Sequence, residues 1–443
     1  MFNCIIMGAA GRDFHNFRSF FLERPQFRVC AFTATQIHFI SGRRSPRELA
    51  GEHYDADIPI HDEEELPRLI REHAVDFVFF AYSDLSHQEV MHRAALVQAC
   101  GASFVLLGPK HTCLPARRPV VAVTATRTGA GKSPLTQYLA AGLRDAGLRA
   151  VTVRHPMPYG DLGAQAVQRF AREEDLERHQ CTIEEREEYA PFVRQGLVIY
   201  AGVDYRAILA AAEEEADIVL WDGGNNDFSF FRADLNIVVA DALRAGHGLD
   251  YYPGETNFRA ADIVVVNKVA QAGPDAVQRI LAMQQQLNPR AAVLQADLEL
   301  DVEDAGALRD RSVLVIEDGP TITHGGMAYG AGRVAAQQCA VASLVDPRPH
   351  AVGSLAATFT AYPHLEQVLP AMGYSAQQRA DLKATIESSG ADIVLDASPA
   401  QVGALLGLSR PVKRVSYRWV QRQGPDLLER VCALAKPPPS ASP

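Results

Sequence analysis

The sequence predicts an α/β architecture of two or three domains built on parallel sheets. Three observations predict it. Short apolar runs alternate with helix-like patterns along most of the chain, as expected for strands covered by helices on both faces. One apolar run, VVAV, leads straight into TATRTGAGKSPLT (124–136), and an amphipathic stretch, LTQYLAAGLRDAG, continues from its last two residues. The length, 443 residues, exceeds what one ordinary core supports.

Residues 1–115 carry the strand-like runs NCIIMG, FRVCAF, DFVFFAY and ASFVLLG, with helical patterns from Glu63 and Ser86. This is a Rossmann-like, doubly wound N-terminal domain. Its first turn, GAAGRDFHNF, places Gly8 and Gly11 between strand and helix, where backbone amides could hold an anion. Arg12 and His15 beside that helix start favour substrate binding there over a merely tight turn. The proline-containing, aperiodic segment KHTCLPARRP reads as a linker.

A second α/β unit spans 116–347, with strands VVAVTA, AVTVRH, LVIYAG, DIVLWD, LNIVVA, DIVVVN and SVLVIE. Between its second and third strands lies EEDLERHQCTIEEREEY, read as a solvated acidic helical insertion in preference to a lid over the site. Residues 348–436 add a helix pattern near Ser375–Ser388 and strand-like DIVLDAS and VKRVSY, a small C-terminal α/β appendage. Residues 437–443 are expected to form a disordered tail.

Composition narrows the function. A net charge of −10 argues against nucleic-acid binding, so a small anionic substrate would need a local cluster of cations. No apolar run approaches the ~20 residues of a membrane span. Seven scattered cysteines without a CxxC pair imply reduced thiols and a cytoplasmic setting.

The stretch GAGKS has the chemistry of a phosphate loop. Thr128, Gly129, Ala130 and Gly131 form the turn, Lys132 can reach the β and γ phosphates, and Ser133 can ligate Mg²⁺. The second unit is therefore a P-loop NTPase core. DIVLWDGGNND supplies Asp222 at a strand end as the second magnesium ligand, and Asn225, Asn226 and Asp227 follow as candidates to position water or substrate. In VVVNKVA, Asn267 and Lys268 are placed to flank a base, while Ala270 replaces the guanine-reading carboxylate and favours ATP. Lys132, Arg127 and Asp222 are the candidate catalytic residues.

TRTGAGKS resembles the variant loop of the ParA/MinD-like ATPases, with Arg127 in place of their signature lysine. That resemblance implies a homodimer, and it puts a guanidinium beside the γ-phosphate. Three cation-bearing loops, VRHPMPYGDL, ADALRAGHGLDYYPGETNF and EDGPTITHGGMAYGAGR, offer Arg154, His155, Arg244, His247, His324 and Arg333. With these loops, RTGAGKSPLT and WDGGNND in this order, nearly the whole chain resembles the cyclic 2,3-diphosphoglycerate synthetase family. The Ala- and Arg-rich composition points to a bacterial member. The resemblance implies ATP- and Mg²⁺-dependent closure of a phosphoanhydride ring in 2,3-diphosphoglycerate. Arg12, His15, Arg154, His155, His247 and His324 would then bind substrate. Three alternatives stay open: a ligase or kinase acting on another anionic metabolite, a switch-type NTPase, and an N-terminal domain serving only as a regulatory ligand module.

Overall fold

The computed structural model describes residues 1–8, 11–34, 44–45, 54, 57–155, 165–224, 227–323, 325–372 and 375–435. Among them, the N-terminal sheet takes the order Arg44–Ser45, Ile58–Asp62, Phe27–Ala34, Phe2–Met7, Phe77–Phe80, Ser103–Leu106. All its pairs are parallel except the outermost, Arg44–Ser45 with Ile58–Asp62. Its central strands are apolar on both faces because both faces are covered. Phe14, Phe17, Phe20 and Phe21 pack on one side, and Leu66, Leu69, Ile70, Val90 and Val97 on the other. The helix His87–Ala99 starts at a reciprocal cap, in which Glu89 N donates to Ser86 Oγ at 3.2 Å and Ser86 N donates to Glu89 Oε2 at 2.9 Å.

The second sheet begins at Gln168–Phe170 and continues through Val198–Ala201, Ala150–Arg154, Ile218–Asp222, Val120–Ala125, Leu235–Asp241 and Ile263–Asn267. From there it passes to Ala292–Val302, Val412–Gln423, Ile393–Asp396, Ser312–Glu317 and Ser343–Leu344. The phosphate-loop strand Val120–Ala125 sits between two parallel neighbours with all six residues buried.

Two placements differ from the sequence-based expectation. SVLVIE, expected in the nucleotide core, pairs with Ile393–Asp396 instead. Apolar runs announce a buried strand but carry no label for its partner. VKRVSY is only the first half of a strand that reaches Gln423 and pairs antiparallel with Ala292–Val302. The stretch expected as an appendage therefore feeds the central sheet. Its Trp419 is buried with its ring 4.8 Å from that of Tyr138, on the helix that follows the phosphate loop. The helix Leu427–Ala435 packs there too, so closely that a Cβ on Gly142 would lie 2.5 Å from Leu428 Cδ2.

The N-terminal domain is stitched to the core by Leu85–Ser86, which pairs antiparallel with Tyr251–Tyr252. Phe228 and Tyr252 from the core join the apolar cluster under the N-terminal sheet. No helix among the described residues is long and apolar enough to cross a membrane.

Candidate active site

The phosphate loop runs from the strand Val120–Ala125 to the helix Lys132–Asp145. Gly131 adopts φ 105°, and a Cβ there would lie 2.3 Å from Asn267 Nδ2, so the position demands glycine on two counts. That tight contact is a brace: Asn267 Nδ2 donates to Ala130 O at 2.8 Å. Lys268 Nζ donates to Gly129 O at 2.7 Å and lies 2.9 Å from Asp241 Oδ2. Arg244 adds a third strut, donating to Thr128 O at 2.7 Å, to Asp241 and, at 2.8 Å, to Gly325 O. Asn267 and Lys268, expected to flank a base, spend these donors on the loop itself. Burial alone would raise the Asp241 carboxyl, but Lys268 and Arg244 outweigh it and hold the group low.

Lys132 opens the helix and is buried. Burial, then Arg154, bring its pKa down to about 8 against the pull of Asp222 and Asp84. Ser133 Oγ and the Asp222 carboxylate converge on one nitrogen, Arg154 Nη1, which lies 2.9 Å from the hydroxyl and also pairs with Asp222. The other end of that guanidinium pairs with Glu188. A hydroxyl and a carboxylate directed at one cationic point are the donor set that Mg²⁺ takes, so the residues present fit the ion. The guanidinium nitrogen stands where such a cation would be held.

Arg127 is engaged within its own chain. Its Nε donates to Asp84 Oδ1 at 2.8 Å, its Nη1 lies 2.9 Å from His247 Nδ1, and its guanidinium carbon lies 3.6 Å from the Tyr251 ring centroid. With Arg127 as donor, His247 accepts in its neutral form, and burial followed by Arg127 lowers its pKa. His155 Nε2 lies 2.8 Å from Asp227 Oδ2, and the His155 side chain leaves no room for a Cβ on Gly224. Arg12 reaches the same Asp227 at 3.4 Å and lies over the Phe228 ring.

The N-terminal turn is not brought to this site as expected. Asp13 Oδ1 accepts from Gly11 N at 3.1 Å and Phe14 N at 2.6 Å, so an internal carboxylate takes the amides expected to bind an anion. His15 stacks on Phe230 at 4.0 Å and bonds Thr112 O at 2.7 Å. Burial drives its pKa to about 3, so it offers no charge to a phosphate at neutral pH. Asn225, Asn226 and His324 lie outside the described residues.

Thr128, Gly129, Gly131, Lys132 and Ser133 line a cleft of about 1390 Å³ that also takes in Asp84, Arg154, His155 and Lys268. Arg12, His15, Arg127, Asp222, His247 and Asn267 are not among the residues that line it. The cleft's lining is also acidic, with Glu184, Glu187 and Glu188 from the helix Ile183–Val193, Glu317 at the end of the strand Ser312–Glu317, and Asp318 after it. The acidic insertion is thus not a solvated helix: Glu184 is 1% exposed and Glu187 6%. Its charge pattern was visible in the sequence, but which face it buries depends on strands that arrive over a hundred residues later. Glu317 accepts from Gly332 N at 3.0 Å and Arg333 N at 2.8 Å, yet burial still pushes its pKa up to about 7. Asp318 is pushed up to about 6, again chiefly by burial.

No family model matches the chain. It is 52% identical over 425 residues to arginine synthetase ArcE of Thermococcus kodakarensis (strain ATCC BAA-918 / JCM 12380 / KOD1), covering 96% of this chain and 95% of that protein. The chain belongs to the arginine synthetase ArcE family. It is an ATP-dependent ligase or synthetase. A shorter likeness, 30% identity over 174 residues, links 37% of the chain to 48% of tetraacyldisaccharide 4'-kinase from Dechloromonas aromatica (strain RCB). Among solved structures, LpxK from Aquifex aeolicus in complex with ATP aligns at a TM-score of 0.42 and 12% identity, over 78% of this chain and 94% of that one. In this ArcE-family chain, the phosphate loop and the acidic wall thus open onto a single cleft.

Proposed function

We propose that the chain converts a ureido amino acid and a nitrogen donor to arginine at the expense of ATP. The observation that carries this reading is the make-up of the cleft, which Lys132 and Ser133 share with the buried carboxylates Glu187 and Glu317 and the half-buried Asp318. Buried carboxylates favour a planar cation and repel a polyanion. The relative's name supplies the product.

The oxygen counterpart of a guanidino group is a ureido group, whose oxygen is a poor leaving group. In the first step this oxygen attacks the γ-phosphorus of ATP; an O–P bond forms, the bond to the bridging oxygen breaks, and ADP leaves. The nitrogen donor then attacks the ureido carbon, the C–O bond breaks and phosphate departs. With ammonium as donor one proton is released overall, and the product carries the guanidinium charge. Lys132 would neutralise phosphate charge as it shifts between oxygens. Ser133 and Asp222 would hold Mg²⁺, which spreads that charge further when bound. The acidic helix would shield the carbon from water and hold the cation that forms.

The acceptor implied by the earlier resemblance, 2,3-diphosphoglycerate, needs free cations. Arg127, Arg154, Arg244 and His155 are each paired with a carboxylate of the chain. The dimer implied by the variant loop needs a cation free to reach a neighbouring subunit, and Arg127 is held by Asp84. ADP release should be measured with citrulline plus ammonium, glutamine or aspartate, and in parallel with 2,3-diphosphoglycerate. Stimulation by citrulline with one nitrogen donor, together with arginine formation, is expected. Stimulation by 2,3-diphosphoglycerate alone would overturn the reading.

A further inference from the structure

We infer that Glu187, together with Asp318, forms the site that receives the planar guanidinium cation, making Glu187 the residue that sets the preference for an amidino group. The link to turnover rests on the proposed arginine-forming reaction, whereas the binding site rests on the burial of Glu187 and its unpartnered oxygens in the cleft. Glu187 projects from the helix Ile183–Val193 into the cleft and is 6% exposed. Neither of its carboxylate oxygens has a hydrogen-bond partner among the described residues. Burying such a group without partners is costly, the more so when it is charged, so it points to a ligand that supplies donors.

The charged groups that weigh most on it are carboxylates. Glu184 and Glu188 lie on its own helix, Asp318 follows the strand Ser312–Glu317, Asp396 ends the strand Ile393–Asp396, and Tyr417 lies on Val412–Gln423. All but the Tyr417 phenol are carboxylates, and Glu188 is already committed to Arg154. Burial and then these neighbours raise the Glu187 carboxyl well above its ordinary value. A cation arriving there would therefore draw off a proton. Among the described residues no three His, Cys, Asp or Glu side chains are grouped to hold a metal ion, which sets this wall apart from a metal centre. A guanidinium fits, since its coplanar N–H groups meet both oxygens of one carboxylate.

Titration calorimetry on the full chain, saturated with Mg-ADP, tests the site with L-arginine, agmatine and the neutral isostere citrulline. Expected are tighter binding of arginine and agmatine than of citrulline, by about tenfold or more, and proton release on arginine binding, read from two buffers of different ionisation enthalpy. Glu187→Gln should lose about tenfold or more in arginine affinity and most of the proton release, while its Mg-ADP affinity stays within about twofold. Glu187→Asp, which retracts the charge but keeps it, should fall between the two. Equal arginine affinity in Glu187→Gln and the unaltered chain would overturn the inference, as would equal binding of arginine and citrulline. Arginine bound through Glu187 without arginine ever being formed would refute the reaction and leave the site standing. Arginine formed with no dependence of its affinity on Glu187 would do the reverse.

Discussion

Arg127 and Asp84 form an ion pair at 2.8 Å between the phosphate loop and the N-terminal domain, with only 5% and 9% of their side chains exposed. Asp84 Oδ2 also accepts from Thr128 N at 3.4 Å, so one carboxylate holds both a loop side chain and a loop amide. The N-terminal domain therefore takes part in shaping the nucleotide site.

Removing one partner of a buried pair leaves the other charge uncompensated, typically at roughly 3–5 kcal/mol. Asp84→Asn should lower the unfolding free energy by about that much and weaken ATP binding. Adding Arg127→Met should recover about 1–3 kcal/mol of the loss. Denaturant unfolding of the two single variants and the double variant measures the coupling, and simple additivity would contradict it.

Ser133→Ala and Asp222→Asn should each raise the Mg²⁺ concentration needed for half-maximal turnover. Each should lower kcat by a factor worth about 2–4 kcal/mol. Asp222 is fully buried and holds Arg154, so Asp222→Asn should also lose stability, whereas Ser133→Ala should not. Magnesium titrations combined with thermal unfolding separate the two effects.

Much of this was legible in the sequence. The strand, glycine-rich loop and helix around Lys132 were local features, and local features survive translation into structure. The same holds for Asp222 at its strand end. Pairing was not legible. Nothing in the residues around Asp84 announces that it meets Arg127, forty-three positions away. The carboxylates of the acidic insertion look like a solvent-facing run because Glu317, Asp318 and Tyr417, which line the same cleft, arrive from segments far along the chain. The cations of the site loops stand out in the sequence, but their pairing with internal carboxylates, Asp241 and Asp227 among them, does not.

Lys132 gives a pH signature. An unfolded lysine holds its proton to about 10.5, whereas the folded group releases it near 8. Between these values the unfolded chain binds more protons, so stability from this group rises with pH across that window and its full penalty is present below it. Phosphates should draw the proton back. ATP binding near pH 9 (roughly mid-window) should take up a proton, and affinity should fall as pH rises above about 8. Lys132→Arg should flatten that profile, which calorimetry in paired buffers reads.

Glu317 acts with the opposite sign. Its folded pKa of about 7 lies above the ordinary 4.5, so the folded state holds the extra proton between them. Its stabilising contribution is complete below about 4.5 and is lost as pH rises through about 7. Glu317→Gln should make the ligand-free chain more stable at pH 8, by on the order of 3 kcal/mol from the linkage alone. The hydrogen bonds from Gly332 and Arg333 will reduce that gain. Thermal unfolding between about pH 5 and 8, the window set by the linkage, would show a flatter profile for the variant.

The central claim is that ATP activates a ureido oxygen. The direct measurement uses citrulline labelled with ¹⁸O in its ureido group, incubated with the protein, Mg-ATP and the effective nitrogen donor. The label should appear in inorganic phosphate, in step with the ADP and arginine formed. Phosphate free of label, with ADP still produced, would contradict it.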